Sequence, residues 1–226
     1  SDMDMEGGAY ETSLVELVNE GKVDIAIIDD AVKRVLRVKF KLGLFEDPYK
    51  YSNPEVAKDI SYKEHEAIAR DIAKKSIVLL KNETSLLPIK SSVKSIAVIG
   101  PLADDKDSPI GNWRAQGETN SAVSVLEGIK NAAAKNVKVN YAQGTTLGVG
   151  ERSFLMPLDI NKTDRSGFAA AIDAAKKSEI VVMVLGEDAY QTGEGRSQAN
   201  IQLAGLQQEL LKEVYNVNKK IVLVLL

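Results

Sequence analysis

The hydrophobic pattern of the first third of the chain predicts three helices, at residues 11–20, 25–42 and 62–75. The second is the clearest, because apolar side chains recur at every fourth position along one face. These side chains are Ile28, Val32, Leu36 and Phe40. Asp24 is suited to cap the start of this helix, and Gly43 to end it in the left-handed conformation. Ser61 is the expected cap of the third helix.

From residue 76 onwards the pattern changes to short apolar runs, which predict strands. The runs are 76–81, 95–100, 137–142, 179–186 and 220–226. Helical patterns lie between the later runs, at 122–134, 166–177 and 203–218. Apolar strands that alternate with helices are typical of parallel sheets covered on both sides. We therefore predict an α/β fold with an open, mainly parallel sheet and helices on both faces, an incomplete α/β sandwich.

Both ends of the chain predict an internal piece of a longer protein. The first residues, SDMDMEGG, have no initiator context. The last residues, KIVLVLL, read as a buried strand, and such a strand is normally followed by a turn. An active site shared with other parts of that protein would then be incomplete in this chain.

Composition excludes several classes of site. The 226 residues include 29 basic and 32 acidic side chains, without the basic excess of a nucleic-acid-binding protein. Cysteine is absent and His65 is the only histidine, so thiolate chemistry, a histidine triad and a multi-histidine metal site are excluded. No apolar run approaches the roughly 18 residues of a membrane span.

The acidic segment 104–107 does not predict a metal site. Asp104, Asp105 and Asp107 lack the ligand order of a calcium-binding loop, and we interpret the segment as a solvated acidic loop. His65 is likewise interpreted as a solvated or locally hydrogen-bonded side chain on its helix. We predict no cofactor and no metal.

Candidate chemistry lies in two polar loops that follow predicted strands. Ligands of an open parallel sheet bind at the carboxyl ends of its strands. One loop carries Trp113, the only tryptophan, and the other carries Glu187, Glu194 and Arg196. A carboxylate beside a flat aromatic ring is typical of a sugar site. Alternatives remain open: Trp113 as a plug over the sheet, Glu187 as the partner of a lysine, and Glu194 as a surface residue in a flexible turn.

Five sequence blocks, in this order, resemble glycoside hydrolase family 3, the β-glucosidase and β-xylosidase family in which a barrel precedes an α/β sandwich. The blocks are SDMDM, IDDAVKRVLRVKFKLGLFEDPY, EAIARDIAKKSIVLLKNETSLLPI, IAVIGPLADD with GNW and SVLEGI, and VVMVLGEDAYQTGEGRSQANIQL. With these blocks spread along it, the resemblance extends over essentially the whole chain. Within the family, the sequence most resembles the periplasmic β-glucosidases of Gram-negative bacteria.

The resemblance implies a domain organisation. Residues 1–48 would be the C-terminal remnant of a (β/α)8 barrel, 49–75 an interdomain linker and helix, and 76–226 a sandwich domain truncated at its C-terminus. A closed barrel typically needs about 250 residues, so this chain is too short to contain one. We expect residues 1–60 to form no core of their own.

The resemblance also implies a retaining, exo-acting β-glycosidase, such as a β-glucosidase, that removes terminal non-reducing β-linked sugars. Glu194 matches the acid/base, which we expect to be exposed in this chain. Trp113 resembles an aromatic residue at the site entrance, and Arg196 is a further candidate substrate-binding residue. The nucleophilic aspartate would lie upstream of SDMDM, so neither Asp2 nor Asp4 would be the nucleophile.

One difference from the family concerns the residues after Glu194. Members of the family often continue with an arginine and then an aspartate, and this chain has Gln198 and Asn200 at those places. Arg196 is the candidate replacement for the missing cation. This difference affects the ion pairs expected around Glu194 more than its expected role as the acid/base.

The expected partners are a carbohydrate substrate and the barrel domain of the same polypeptide, with neither nucleic acid nor a membrane span. The expected location is periplasmic or secreted, and the chain alone is expected to be inactive. The main alternative is a non-catalytic α/β module that binds a sugar or a nucleotide, and a purely structural spacer is a third. Sugar identity, linkage and oligomeric state are left open by the sequence.

Overall fold

The computed structural model describes residues 4, 7–55, 62–115, 117–153 and 156–226. The predicted cap Ser61 and all of the SDMDM segment except Asp4 lie outside the described residues. The chain divides into two compact units, Ser1–Val78 and Leu79–Leu226.

The first unit is helical. Its long helices are α1 (Ala9–Asn19), α2 (Ile25–Lys41) and α3 (Tyr62–Ser76). Asp24 caps α2 as predicted, because its side chain accepts a hydrogen bond of 2.9 Å from the Ala26 amide. Gly43 follows with a φ of 70°, a conformation that glycine adopts without steric cost. The chain then turns back so that the ring of Phe45 lies 4.3 Å from the ring of Phe40.

None of the described residues of this first unit is buried. The apolar face of α2 is correspondingly open, with Val32 48% and Phe40 60% exposed. The expectation that these residues form no core of their own is therefore confirmed. The apolar side chains of α2 recur as in a helix that packs one face against another element. In the described part of the first unit, this face is not buried.

The second unit contains a four-stranded parallel sheet. Its elements are β1 (Ser95–Ile99), α4 (Val125–Ala132), β2 (Lys138–Ala142), β3 (Gly148–Val149), β4 (Asp159–Ile160), α5 (Phe168–Lys176), β5 (Ile180–Leu185), α6 (Gln207–Val217) and β6 (Ile221–Leu225). The sheet order is β2-β1-β5-β6, with every neighbouring pair parallel. Strands β3 and β4 form a separate antiparallel pair.

Helices cover both faces of this sheet, which confirms the predicted fold class. Every residue of the central strand β5 is buried, and successive side chains of a strand point to opposite faces. Met183 shares one core cluster with Phe168 of α5 and Leu210 of α6. Val184 shares the second cluster with Leu126 of α4. Burial on both faces explains why β5 is apolar without interruption.

The predicted strand at 76–81 is wrong. Ser76 is the last residue of α3, and the following residues are not in a strand. Ile77 is 77% and Leu80 is 80% exposed. A strand needs a neighbour for its backbone hydrogen bonds, and in the described part of the chain the sheet begins only at Ser95. The pair β3–β4 was not predicted, because strands of two residues are too short to show a hydrophobic period.

Candidate active site

The candidate loops leave neighbouring strands at the point where the direction of winding changes. From β1 the chain passes through α4 to β2 on one side, whereas β5 and β6 lie on the other side. Ile99 at the end of β1 is aligned with Met183 of β5. A switch of this kind opens a crevice at the carboxyl ends of the strands, where ligands of open α/β sheets bind. The sequence predicted that both loops follow strands of a parallel sheet, and the observed sheet order makes the two loops adjacent.

Asn112 joins the two loops directly. Its side-chain amide donates a hydrogen bond of 3.0 Å to the carbonyl of Ala189 and a second one to the carbonyl of Thr192. Its Oδ1 atom is buried without a hydrogen-bond partner among the described residues. The loop that carries Trp113 is thereby bound to the loop that carries Glu194.

Glu194 lies in a tight turn between two glycines and is exposed, as expected. Gly193 and Gly195 have φ values of 101° and 71°, in the left-handed region. The turn is closed by a hydrogen bond of 3.2 Å from the amide of Arg196 to the carbonyl of Gly193. The carboxyl group is therefore presented at the tip of a short, backbone-bonded turn.

Arg196 closes the base of the same turn. Its Nε donates to the carbonyl of Tyr190 at 2.9 Å. Its Nη2 donates to the carbonyls of Met156 and Ser153, at 2.8 and 3.2 Å. These bonds tie the turn to its own start and to the segment around residue 153. Substrate binding by Arg196 stays a prediction.

Trp113 is 69% exposed, so it does not plug the top of the sheet, and that alternative is wrong. It lines a cavity of about 350 Å³ beside the Glu194 loop. The other lining residues are Gly111, Asn112, Arg114, Ala115, Ala189 and Tyr190. Both loops contribute to this wall, and an open indole there offers a flat apolar surface to a ligand.

Arg114, which lines this cavity, forms an ion pair with Asp107, and both side chains are largely buried. The hydrogen bond from Arg114 is the main reason that the pKa of Asp107 lies below its ordinary value, and the pKa of Arg114 is raised by the same contact. Arg114 also donates a hydrogen bond of 2.7 Å to the hydroxyl of Tyr190. The guanidinium lies 5.6 Å from the centre of that ring. The pair thus orders the cavity wall.

Asp188, in the stretch between β5 and the Glu194 turn, is almost fully buried at 1% exposure. Its Oδ1 accepts a hydrogen bond of 2.9 Å from the Tyr190 amide. Its Oδ2 faces Arg152 at 3.1 Å as an ion pair, without hydrogen-bond geometry. Burial raises the pKa of Asp188, with a smaller contribution from the charge of Asp105, and Arg152 opposes the rise.

The acidic segment is more ordered than the sequence predicted. Asp105 accepts hydrogen bonds from the amides of Asp107 and Ser108, at 2.8 and 2.9 Å. Only Asp104 of the three aspartates is exposed, so the solvated interpretation is wrong for Asp105 and Asp107. Within the described ranges, no three histidine, cysteine, aspartate or glutamate side chains are grouped as they would be to hold a metal ion.

Sequence reasoning missed several residues that shape the site. They are Asn112, Arg114, Arg152, Asp188 and Tyr190. Four of them had a local signal: Asn112 and Arg114 flank Trp113, and Asp188 and Tyr190 lie in the sequence block that contains Glu194. The contact of Arg152 with Asp188 depends on loops that meet through the tertiary fold.

None of the helices in the described ranges has the length and apolar character needed to cross a bilayer.

Comparison with known proteins identifies the family of this chain. The family model for the glycosyl hydrolase family 3 C-terminal domain matches residues 77–226. A periplasmic β-glucosidase of Salmonella typhimurium is 37% identical over 100% of this chain and 31% of its own length. A β-xylosidase of Formosa agariphila is 34% identical over 98% of this chain and 30% of its own length.

Solved structures give the same result. A β-glucosidase from Listeria innocua in complex with isofagomine superposes with a TM-score of 0.76 at 32% identity, over 99% of this chain and 29% of that chain. A β-glucosidase involved in saponin metabolism from intestinal bacteria has a TM-score of 0.75 at 31% identity, over 96% and 32%. The chain thus spans about a third of the length of its relatives. By sequence and by fold, it belongs to glycosyl hydrolase family 3.

Proposed function

We propose that this chain is part of a retaining, exo-acting β-glycosidase that removes terminal non-reducing β-linked sugars, with β-glucosides as the first substrates to test. The relatives named above support a glycosidase, and they include both a β-glucosidase and a β-xylosidase. The observation that carries the proposal is the exposed Glu194 turn, bound through Asn112 to the wall of a cavity lined by Trp113.

In this proposal Glu194 acts as the acid/base. It protonates the leaving glycosidic oxygen in the first step and removes a proton from water in the second. The nucleophile is an aspartate of the barrel domain of the same polypeptide. In retaining enzymes the two carboxyl groups stand about 5–5.5 Å apart, so the two domains must meet at the tip of the Glu194 turn.

Trp113 and Arg196 have different parts in the proposal. The exposed ring of Trp113 stacks on the leaving-group sugar at the entrance of the site. Arg196 holds the turn in place through its bonds to the carbonyls of Tyr190 and Met156. Any contact of Arg196 with the substrate would be made in addition to these bonds.

The proposed domain organisation follows the family. Residues 1–48 end the barrel, 49–75 link the two domains, and 76–226 belong to the sandwich domain. The open apolar faces of the first unit fit this proposal, since they have no core of their own to pack against. A periplasmic or secreted location is proposed from the periplasmic relative. The chain by itself should then show no turnover of β-glucosides.

The test compares wild type with Glu194→Ala in a full-length enzyme that contains this chain, on β-glucosides with good and poor leaving groups. The variant should still cleave the activated substrate and lose cleavage of the poor one, because only the poor leaving group needs a proton. Azide should restore turnover and yield a glycosyl azide, since an anion can replace the water that no base activates. Glu187→Ala is the matched control, because that glutamate lies on the same loop.

Unchanged activity of Glu194→Ala on both substrates would contradict the proposal. The proton donor would then lie elsewhere, and the domain would be a binding module or a spacer. Turnover by the isolated 226-residue chain would contradict the shared site itself.

A further inference from the structure

Tyr190 is the residue on which the contacts around the Glu194 turn converge. Its backbone carbonyl accepts from Arg196, and its hydroxyl accepts from Arg114. The guanidinium of Arg152 lies 5.5 Å from the centre of its ring, and that of Arg114 lies at 5.6 Å. The position of Tyr190 therefore sets the base of the turn and one wall of the cavity.

Asp188 in turn holds the backbone of Tyr190. Its carboxylate accepts the Tyr190 amide at 2.9 Å. Its backbone exchanges two bonds with Gln191: the Asp188 amide donates to Oε1 of Gln191, and the Gln191 amide donates to the Asp188 carbonyl, both at 3.1 Å. Asp188 and Gln191 are both buried, so few of these groups can exchange a partner with water.

A buried carboxylate is costly unless a cation or several donors compensate it. Here the compensation comes from Arg152, which is 43% exposed and lies in the segment that Arg196 also contacts. A hydrophobic or amide side chain would fill the same space without that cost. Packing alone therefore does not account for an aspartate at this position.

We propose that Asp188, paired with Arg152, is a positioning residue that holds Tyr190 and thereby keeps the Glu194 turn in the orientation needed for proton transfer. This inference rests on the proposed function of Glu194. Asp188 does not touch the substrate in this scheme. It acts through the chain of contacts from its carboxylate to Tyr190, from Tyr190 to Arg196, and from Arg196 to the turn.

The test uses Asp188→Asn in the full-length enzyme and measures kcat/KM on two β-glucosides that differ in leaving group. Displacement of a reacting group by about 1 Å can cost on the order of 100-fold. We expect a loss on the order of 10- to 100-fold with the poor leaving group and little change with the activated one. A purely structural defect would lower both values together.

Three further variants test whether the charge of Arg152 is needed and whether the effect is specific to Asp188. Arg152→Lys retains the cation and should recover most of the activity that Arg152→Gln loses on the poor leaving group. Asp173→Asn is the matched control, because it removes an aspartate of α5 from an exposed ion pair with Lys177, the residue after that helix. It should leave both substrates unaffected. Circular dichroism of each variant checks that the domain is folded.

The outcomes distinguish this inference from the proposed function. If Glu194→Ala shows the acid/base pattern and Asp188→Asn does not, the positioning role is wrong and the proposed function stands. If Glu194→Ala leaves both substrates unaffected, the proposed function fails and the inference fails with it. Equal loss on both substrates in Asp188→Asn would also overturn the positioning role.

Discussion

The side chain of Asn112 occupies the space in which Gly193 lacks a β-carbon. A β-carbon added to Gly193 would lie 2.7 Å from Cγ and 2.8 Å from Nδ2 of Asn112. Gly195, on the other side of Glu194, has nothing within 4 Å of the same position. The two glycines share a left-handed backbone, with φ values of 101° and 71°, but only one of them contacts the neighbouring loop.

This difference predicts that alanine substitutions on the two sides of Glu194 differ in effect. Both introduce left-handed strain of about 1–3 kcal/mol. Gly193→Ala must also displace Asn112, so it should lower kcat/KM with a poor leaving group by an additional factor on the order of ten or more. Gly195→Ala is the matched control. Equal losses in the two variants would show that the contact with Asn112 has no influence on the turn.

Removing the Asn112 side chain should loosen the contact between the loops. Asn112→Ala deletes the bonds to the carbonyls of Ala189 and Thr192, and we expect it to lower the free energy of unfolding by about 1–3 kcal/mol. Asn112→Asp should cost more, since a carboxylate would face two carbonyl oxygens. Urea unfolding measures both, with the exposed Asn131→Ala on α4 as control, expected within about 0.5 kcal/mol of wild type.

Trp113 should contribute to substrate binding and not to the stability of the core. Because its side chain is 69% exposed, Trp113→Ala should change the free energy of unfolding by less than about 0.5 kcal/mol. The same variant should raise KM for aryl and disaccharide β-glucosides, and Trp113→Phe should recover part of the loss by keeping an aromatic surface. In the 226-residue chain, where Trp113 is the only tryptophan, its fluorescence should be quenched readily by acrylamide. Fluorescence typical of a buried indole would contradict this prediction.

The ion pair of Asp107 and Arg114 predicts a pH dependence of stability. The pKa of Asp107 is lowered in the folded protein from 3.8, chiefly by the hydrogen bond from Arg114. The charged form is thus favoured on folding, and the stabilisation is complete above pH 3.8 and disappears as the pH falls through the lower folded value.

Asp107→Asn should therefore lower stability at pH 7, and its difference from wild type should shrink as the pH falls below 3.8. Urea unfolding across this range measures the difference. Glu118→Gln removes an exposed carboxylate from the same loop and should show no such trend. A deficit that is constant with pH would show that Asp107 stabilises the loop without its charge.

The strands of the sheet could be predicted to within one residue at each end, because each coincides with a short run of largely apolar residues. The fold buries β5 completely and β1 almost completely, whereas β2 and β6 at the edges of the sheet are only partly buried. The prediction of a strand at 76–81 failed because an apolar run indicates hydrophobicity but does not identify a neighbouring strand to pair with. Ile77 and Leu80 are as apolar as the residues of β6, but the sheet contains no position for them.

The sequence by itself determined the fold class, the family and the identity of the candidate carboxylate, because periodicity and motifs are local properties of the chain. Only the tertiary structure decided that β1 and β5 are neighbours, that Asn112 bonds to the Glu194 loop and that Asp188 is buried beneath Tyr190. The first two join residues about 80 positions apart in the chain, and the third depends on how a single loop folds. The partner of a polar side chain is set by sheet order and by the path of the loops, which no local pattern encodes.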